Sequence, residues 1–156
     1  MNSIRLAKMT EPQFESFVES SNADYARESP LYRDLPFAEA LEFVIKEFYT
    51  RTAPEGLNTP GHHFIAIMNG TEQVGYLHLS EKPVGTKILF AWDFAIHPEH
   101  QKKGYGKTAM LLAQKHFSDL GYTKVILNVF AENAGAIKLY EAFGFKVTQF
   151  NMERVI

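Results

Sequence analysis

The sequence predicts an α+β fold, α/β/α sandwich-like, with a mixed, mostly antiparallel central sheet of about seven strands and four helices. Three observations predict it. The apolar period changes from helical to two after the Pro- and Gly-rich stretch 54–61. Two hairpin signals then follow one another, Asn69-Gly70 and Pro83-Val84-Gly85. A helix with apolar spacing next separates the strand ending at Ile96 from another over 124–130, which is a β-α-β crossover. Hairpins joined to one crossover make a mixed sheet with helices on its faces, not a doubly wound one.

Each element has its own signal. Ile4 to Ala7 alternates weakly and suits a short strand. Thr10 and Gln13 form a capping box with Pro12 in the first turn, and Phe14, Phe17 and Val18 supply the apolar stripe of a first helix. Residues 22–35 are polar and end at Pro36, so an irregular segment or short helix is expected there. Phe37, Leu41, Val44, Ile45 and Phe48 space a second helix over 37–51. Strands are expected at 63–68, 73–79 and 87–96, the last closed by Pro98. Met110, Leu111, Ala113, Phe117 and Leu120 mark the apolar side of a third helix over 104–120, with Gly121 at its end. Asn133 caps a fourth helix that Gly144 terminates, and 145–148 with 151–155 can form a last hairpin.

Composition narrows the function classes. The 156 residues, with no repeat or low-complexity run, fit one domain over 1–156. The 46% hydrophobic content excludes a disordered chain. A formal charge of -2 gives no basic excess, so neither nucleic acid nor a membrane surface is an expected partner. The absence of cysteine removes disulfides, thiolate metal sites and any Cys nucleophile, and fits a reducing compartment. With no signal-peptide pattern and no long apolar run, a cytoplasmic location is expected.

The informative stretch runs from Asp93 to Thr108, where a strand ends, a glycine-bearing loop follows and a helix begins. Free N–H groups at a helix N-terminus attract anions, and Lys102, Lys103 and Lys107 add positive charge. The inference is a phosphate-binding turn. Gly106-Lys107-Thr108 imitates the end of a Walker A loop, but Gln101 stands where that motif needs glycine. Gly104 to Ala109 fits G-x-G-x-x-G/A, yet a loop over 97–103 intervenes and hairpins precede it, unlike a Rossmann unit. A plain surface loop with glycines for turn geometry is the bland reading.

A further reading uses the whole constellation. Gln101-Lys102-Lys103-Gly104-Tyr105-Gly106 resembles the Q/R-x-x-G-x-G/A signature of the GNAT N-acetyltransferases. Asn133-Ala134-Gly135-Ala136-Ile137-Lys138-Leu139-Tyr140-Glu141-Ala142-Phe143-Gly144-Phe145 resembles that family's second motif, N-x-x-A-x-x-L-Y-E-x-x-G-F. The likeness covers residues 87–150; residues before about 60 carry none.

The resemblance implies a GNAT domain that moves the acetyl group of acetyl-CoA to a primary amine by direct attack in a ternary complex. It implies acetyl-CoA as co-substrate, no metal, and an amine-bearing small molecule or peptide as acceptor, with a homodimer as one open arrangement. In the family the sheet splays between the fourth and fifth strands and the coenzyme arm lies in the gap. Carried over, Phe94, Ala95 and Ile96 would pair with that arm. Gln101 would shape the loop, and the amides of Lys102, Lys103, Gly104, Tyr105, Gly106 and Lys107 would hold the pyrophosphate. Asn133 would contact the arm, and the Ile96 N–H would polarise the thioester. Tyr140 holds the general-acid position, although its spacing from Ile137 and Phe143 also suits a core aromatic. Relatives that acetylate protein N-termini often carry Glu where Asn128 stands, and an amide is no base. Asp93 becomes the candidate base, with Glu132 and His97 behind it. His62-His63 and the pair His97 and His100 have ligand-like spacing, but neither H-E-x-x-H nor a carboxylate triad accompanies them. A non-catalytic acyl-CoA-binding module is the alternative function, and a nucleotide-binding oxidoreductase is disfavoured by the sheet order.

Overall fold

The computed structural model describes residues 3–156. Five strands form one sheet in sequence order: β1 (Ile4–Lys8), β2 (His62–Asn69), β3 (Glu72–Glu81), β4 (Ile88–Ile96) and β5 (Lys124–Leu127). The first four run antiparallel to their neighbours, and β5 runs parallel to β4. Helices α1 (Glu11–Glu28) and α2 (Phe37–Glu47) lie on one face, α3 (Tyr105–Asp119) on the other, and α4 (Ala134–Ala142) follows β5. This is the mixed sheet with helices on its faces that the hairpin and crossover signals predict.

Both faces of β2 and β3 are covered, which is why almost all of their side chains are buried. Phe14, Phe17, Phe64, Ala66, Met68 and Tyr76 form the core beneath α1, with Phe14 and Phe64 edge to face at 4.8 Å. Ile65, Leu77, Leu79, Leu89 and Phe117 form the core beneath α3. Burying each such Leu, Ile or Phe contributes about 1.5–3 kcal/mol before entropy is counted. The capping box at Thr10 forms as its sequence requires: the Thr10 N–H donates to Gln13 Oε1 at 2.9 Å, and Thr10 Oγ1 accepts from the Gln13 N–H.

The structure departs from expectation in three places. The sheet has five strands, not about seven, because 145–156 forms no strand and lies exposed beyond α4. The α1 helix runs on to Glu28 through the polar segment, because Asn22 and Ala26 continue the buried stripe of Phe14, Phe17 and Val18. On α3 the buried side is Tyr105, Ala109 and Phe117, whereas Leu111 and Leu120 face outward.

His78 is a buried titratable group on the α1 side of the sheet. The His78 ring stacks on Phe64 at 4.2 Å and its Nε2 lies 2.9 Å from His62 Nδ1. Burial first, then the neighbouring His62 and His63, hold the His78 imidazole well below its ordinary pKa. The fold therefore keeps His78 neutral, while the unfolded chain takes up a proton there below about pH 6.5. This contribution to stability is whole above that pH and is lost as pH falls below it, by about 1.4 kcal/mol per pH unit. His78→Phe is expected to flatten the fall in urea midpoint between pH 7 and pH 5.

Candidate active site

The site is built where β4 loses a partner. Its pairing with β5 runs from Ile88 opposite Lys124 to Ala91 opposite Leu127 and stops there. Beyond that point β4 pairs only with β3, through Ile96 opposite Gly75. The β3–β4 register slips at the same place: His78 faces Asp93 while Leu79 faces Ala91. One extra residue of β4 is thus inserted, a bulge that bends the strand and increases its twist. Its consequence for side chains is specific. Ala91 and Phe94 pack on the α3 side, while Trp92 stacks over His78 and Asp93 bonds Ser21, so two successive residues face α1.

The close approach of β3 to this part of β4 depends on Gly75. A Cβ there would lie 2.3 Å from the Ala95 carbonyl oxygen. That carbonyl therefore points at β3, and the His97 N–H donates to the Val74 carbonyl at 2.9 Å. With a strand period of two, the backbone groups of Phe94 and Ile96 point the other way, into the open side. Of the three residues expected to pair with a ligand, Phe94 and Ile96 thus offer their amides, and Ala95 is engaged with β3. The Ile96 carbonyl accepts from Gln101 Nε2 at 3.0 Å, so Gln101 ties the loop to the end of β4.

The loop leads directly into α3. Lys102 has φ 61° and Gly104 has φ 80°, the left-handed region that glycine tolerates best. Gly104 is the residue before the helix, and Gly106 faces Phe94 and Ile96 on the α3 side. Tyr105 is buried, its hydroxyl accepting from Asn69 Nδ2 at 3.2 Å, which fixes the first turn against the sheet. The first N–H groups of a helix have no partner within it. Lys102, Lys103 and Lys107 are exposed around them, with Lys103 Nζ donating to the Glu99 carbonyl at 3.1 Å.

Asp93 accepts a hydrogen bond from the Ser21 hydroxyl of α1, 2.5 Å from its Oδ2. Burial nonetheless raises the Asp93 carboxyl above its ordinary pKa, with Ser21 and the nearby Phe94 and Tyr76 opposing that rise and Asp24 adding to it. Tyr140, on α4, feels the same charge: burial and then Asp93 raise its phenol. Asn133 caps α4, its Oδ1 accepting from the Ala136 N–H at 3.1 Å, and Phe145 packs on Tyr140 at 5.5 Å. Asp93 and Tyr140 are thus near enough for the carboxylate charge to be felt at the phenol. His97 lies 6.1 Å from the Tyr76 ring, whereas Glu132 is drawn outward to Arg33 at 3.3 Å.

Residues 21–33 line one side of this region. Tyr25 packs on Phe130 at 5.9 Å and on Tyr32 at 6.2 Å. Two residues that sequence reasoning missed matter here, Ser21 and Tyr76. The signal existed: Ser21 is three residues after Val18 on the buried stripe of α1, a polar side chain where an apolar one is due. A separate groove of about 710 Å³, lined by β1, His62, His63 and His116 of α3, includes none of these residues.

Comparison with known proteins agrees with this fold. The model of the acetyltransferase (GNAT) family matches residues 17–145. The uncharacterized N-acetyltransferase YycN of Bacillus subtilis (strain 168) is 31% identical over 153 residues, covering 97% of each chain. The crystal structure of Bacillus subtilis YycN superposes with a TM-score of 0.89 at 29% identity, over 99% of each chain. The fold is also that of the PaiA N-acetyltransferase of Thermoplasma acidophilum solved with coenzyme A, at a TM-score of 0.69 and 22% identity over 96% of this chain and 93% of that one. The chain belongs to the GNAT acetyltransferase family.

The raised Asp93 carboxyl makes a stability prediction. A carboxyl whose folded pKa is raised favours the fold when protonated, so its charge costs stability once pH exceeds that pKa. Asp93→Asn is expected to raise the melting midpoint at pH 7, with the gain shrinking as pH falls through the titration of the carboxyl. A midpoint at pH 7 below that of the parent chain would contradict the raised carboxyl.

Proposed function

We propose that the whole chain, 1–156, is a single domain that transfers the acetyl group of acetyl-CoA to a primary amine by direct attack. The observation that carries this reading is the unpaired stretch of β4, which holds Asp93, beside the N-terminus of α3. The amides of Phe94 and Ile96 pair with the coenzyme arm as an added strand would. The turn from Lys102 through Gly104 to Lys107 accepts the pyrophosphate on the N–H groups of Tyr105 and Gly106. Asn133 reaches the arm from the other wall of the gap.

Chemistry follows from the groups at hand. A neutral amine attacks the thioester carbon, and the Ile96 N–H stabilises the oxygen that gains charge. Asp93 takes the proton that the nitrogen must lose. Its raised pKa brings it nearer the working pH of a general base. The carbon–sulfur bond then breaks, and Tyr140 gives its proton to the departing thiolate. The balance is one N–H proton passed to Asp93 and one phenol proton passed to sulfur. Proton return from Asp93 to Tyr140 resets the site, which their electrostatic proximity favours. The raised Tyr140 phenol makes its donation more uphill than for free tyrosine, and keeps it protonated to high pH.

The acceptor is an amine-bearing small molecule or peptide entering past Ser21, Tyr25 and Tyr32. A spermidine N-acetyltransferase of Vibrio cholerae with the same fold, solved with CoA and spermine, supports an amine acceptor in this cleft. Nucleic acid and membrane are not partners in this reading; a second copy of the chain is. The cysteine-free composition suits a cytoplasmic setting, and among the described residues no helix is long and apolar enough to cross a membrane.

Acetyl-CoA turnover measured as free thiol, with a panel of amines, tests the assignment. Tyr140→Phe is expected to lower kcat by about 10²-fold with little change in acetyl-CoA affinity. Full activity would remove Tyr140 as the acid. Charge reversal at Lys102 and Lys103 together is expected to raise the Kd for CoA at least about 10-fold, a loss of roughly 1.4 kcal/mol. Turnover with no amine, despite tight CoA binding, would favour the non-catalytic module.

A further inference from the structure

A serine inside a helix commonly returns its hydroxyl to the carbonyl one turn back. Ser20 does so, donating to the Ser16 carbonyl at 3.0 Å. Ser21, the next residue of α1, instead donates to Asp93 Oδ2 at 2.5 Å, 72 residues away along the chain. A hydrogen bond to a carboxylate is shorter and roughly twice as strong as a neutral one. Phe17, one turn earlier, accounts for the aim. It packs edge-on to Tyr76 at 5.0 Å and to His78 at 5.8 Å, so this side of α1 lies on β3 and Ser21 reaches the adjoining strand. Asp93 gains from the contact what its own strand does not supply. It sits at the bulge, where Trp92 and Asp93 turn to the same face and strict alternation no longer sets direction. An unheld carboxylate samples several rotamers, and a bond to a donor on a packed helix selects one.

We propose that Ser21 is a positioning residue for acetyl transfer: its hydroxyl holds the Asp93 carboxylate in the orientation from which it takes the proton of the attacking amine. The inference rests on the reading of Asp93 as the base. A carboxylate offers about four lone-pair sites, so one bond from Ser21 fixes the group and leaves it able to accept a proton. Ser21 keeps its own proton throughout, so the proton balance of the reaction is unaltered. The same bond favours the charged form, and without it the carboxyl holds its proton to higher pH. A base must be unprotonated to act, so the acidic limb of the rate profile moves with it. The other titratable groups that face Asp93 are the same in a Ser21 variant: Asp24 of α1, Tyr76 and His78 of β3, and Tyr140 of α4.

Ser21→Ala and Ser21→Thr, each in the full chain, test this by two independent readouts. The first is the titration of the Asp93 carboxyl carbon by ¹³C NMR, assigned with Asp93→Asn and needing no substrate. The second is the pH profile of kcat and kcat/KM for thiol release from acetyl-CoA, with the fastest amine of the panel as acceptor. Ser21→Ala is expected to raise the Asp93 midpoint and the acidic limb of kcat/KM together, by about one pH unit. Above that limb kcat is expected to fall about 10-fold from lost orientation, with the Kd for acetyl-CoA unchanged. Ser21→Thr, which keeps the hydroxyl, is expected to restore both. Kinetics in Ser21→Ala like those of the parent chain would overturn the inference, whatever the NMR midpoint does. So would a fall in kcat with neither the midpoint nor the limb moved, or a Ser21→Thr as impaired as Ser21→Ala. Full activity in Asp93→Asn is a different failure: it removes Asp93 as the base, and with it the proposed chemistry, while the NMR midpoints still report the contact.

Discussion

The constraint on which the rest depends is the parting of β4 from β5 after Ala91. Each side of that parting has a cause in the chain. The β4 strand carries an extra residue between Ala91 and Asp93, and the bulge bends it away at the point where pairing stops. The β5 strand ends at Leu127, too short to follow. The parting leaves the amides of Phe94 and Ile96 without ladder partners within the sheet. An unpaired buried edge is costly unless something pairs with it. In the proposed function that open edge is where the coenzyme arm pairs.

The bulge also decides the chemistry beside the edge. Without it Asp93 would sit on the α3 side with Phe94's neighbours shifted by one. With it, the carboxyl turns toward α1 and meets Ser21 and Tyr76. The Ser21 hydroxyl and the nearby Tyr76 favour the charge of a half-buried carboxylate, while burial keeps its proton affinity above the ordinary value. Packing and acid–base behaviour are therefore set by a single inserted residue.

Much of this was legible in the sequence. The helix caps at Thr10 and Asn133, the Asn69-Gly70 turn and the glycines ending α3 and α4 are local signals, and each forms as read. The strand–loop–helix from Asp93 to Thr108 was legible for the same reason: its geometry is set by neighbours in the chain. The bulge was not, because it is a mismatch of register between β3 and β4, and alternation within β4 alone does not locate it. Ser21 and Tyr76 were missed because their role needs three elements to meet. The last hairpin was expected from alternation at 145–155, but strands require an edge to pair with, and this chain does not bring its own tail to β5. Asn128, one residue past the end of β5, shows the same limit: its identity argued against a carboxylate base there and made Asp93 the candidate, but which face of β4 Asp93 takes was not legible.

The central claim is that the amides of Phe94 and Ile96 are receptor groups for an acetylated coenzyme. Amide hydrogen exchange resolved at single residues, with and without saturating acetyl-CoA, tests it most directly. Slowing of exchange by about 10-fold or more at Phe94, Ile96, Tyr105 and Gly106, with little change at Ala95, is the result this account predicts. Saturable binding that leaves those four amides exchanging at their free rates would contradict it.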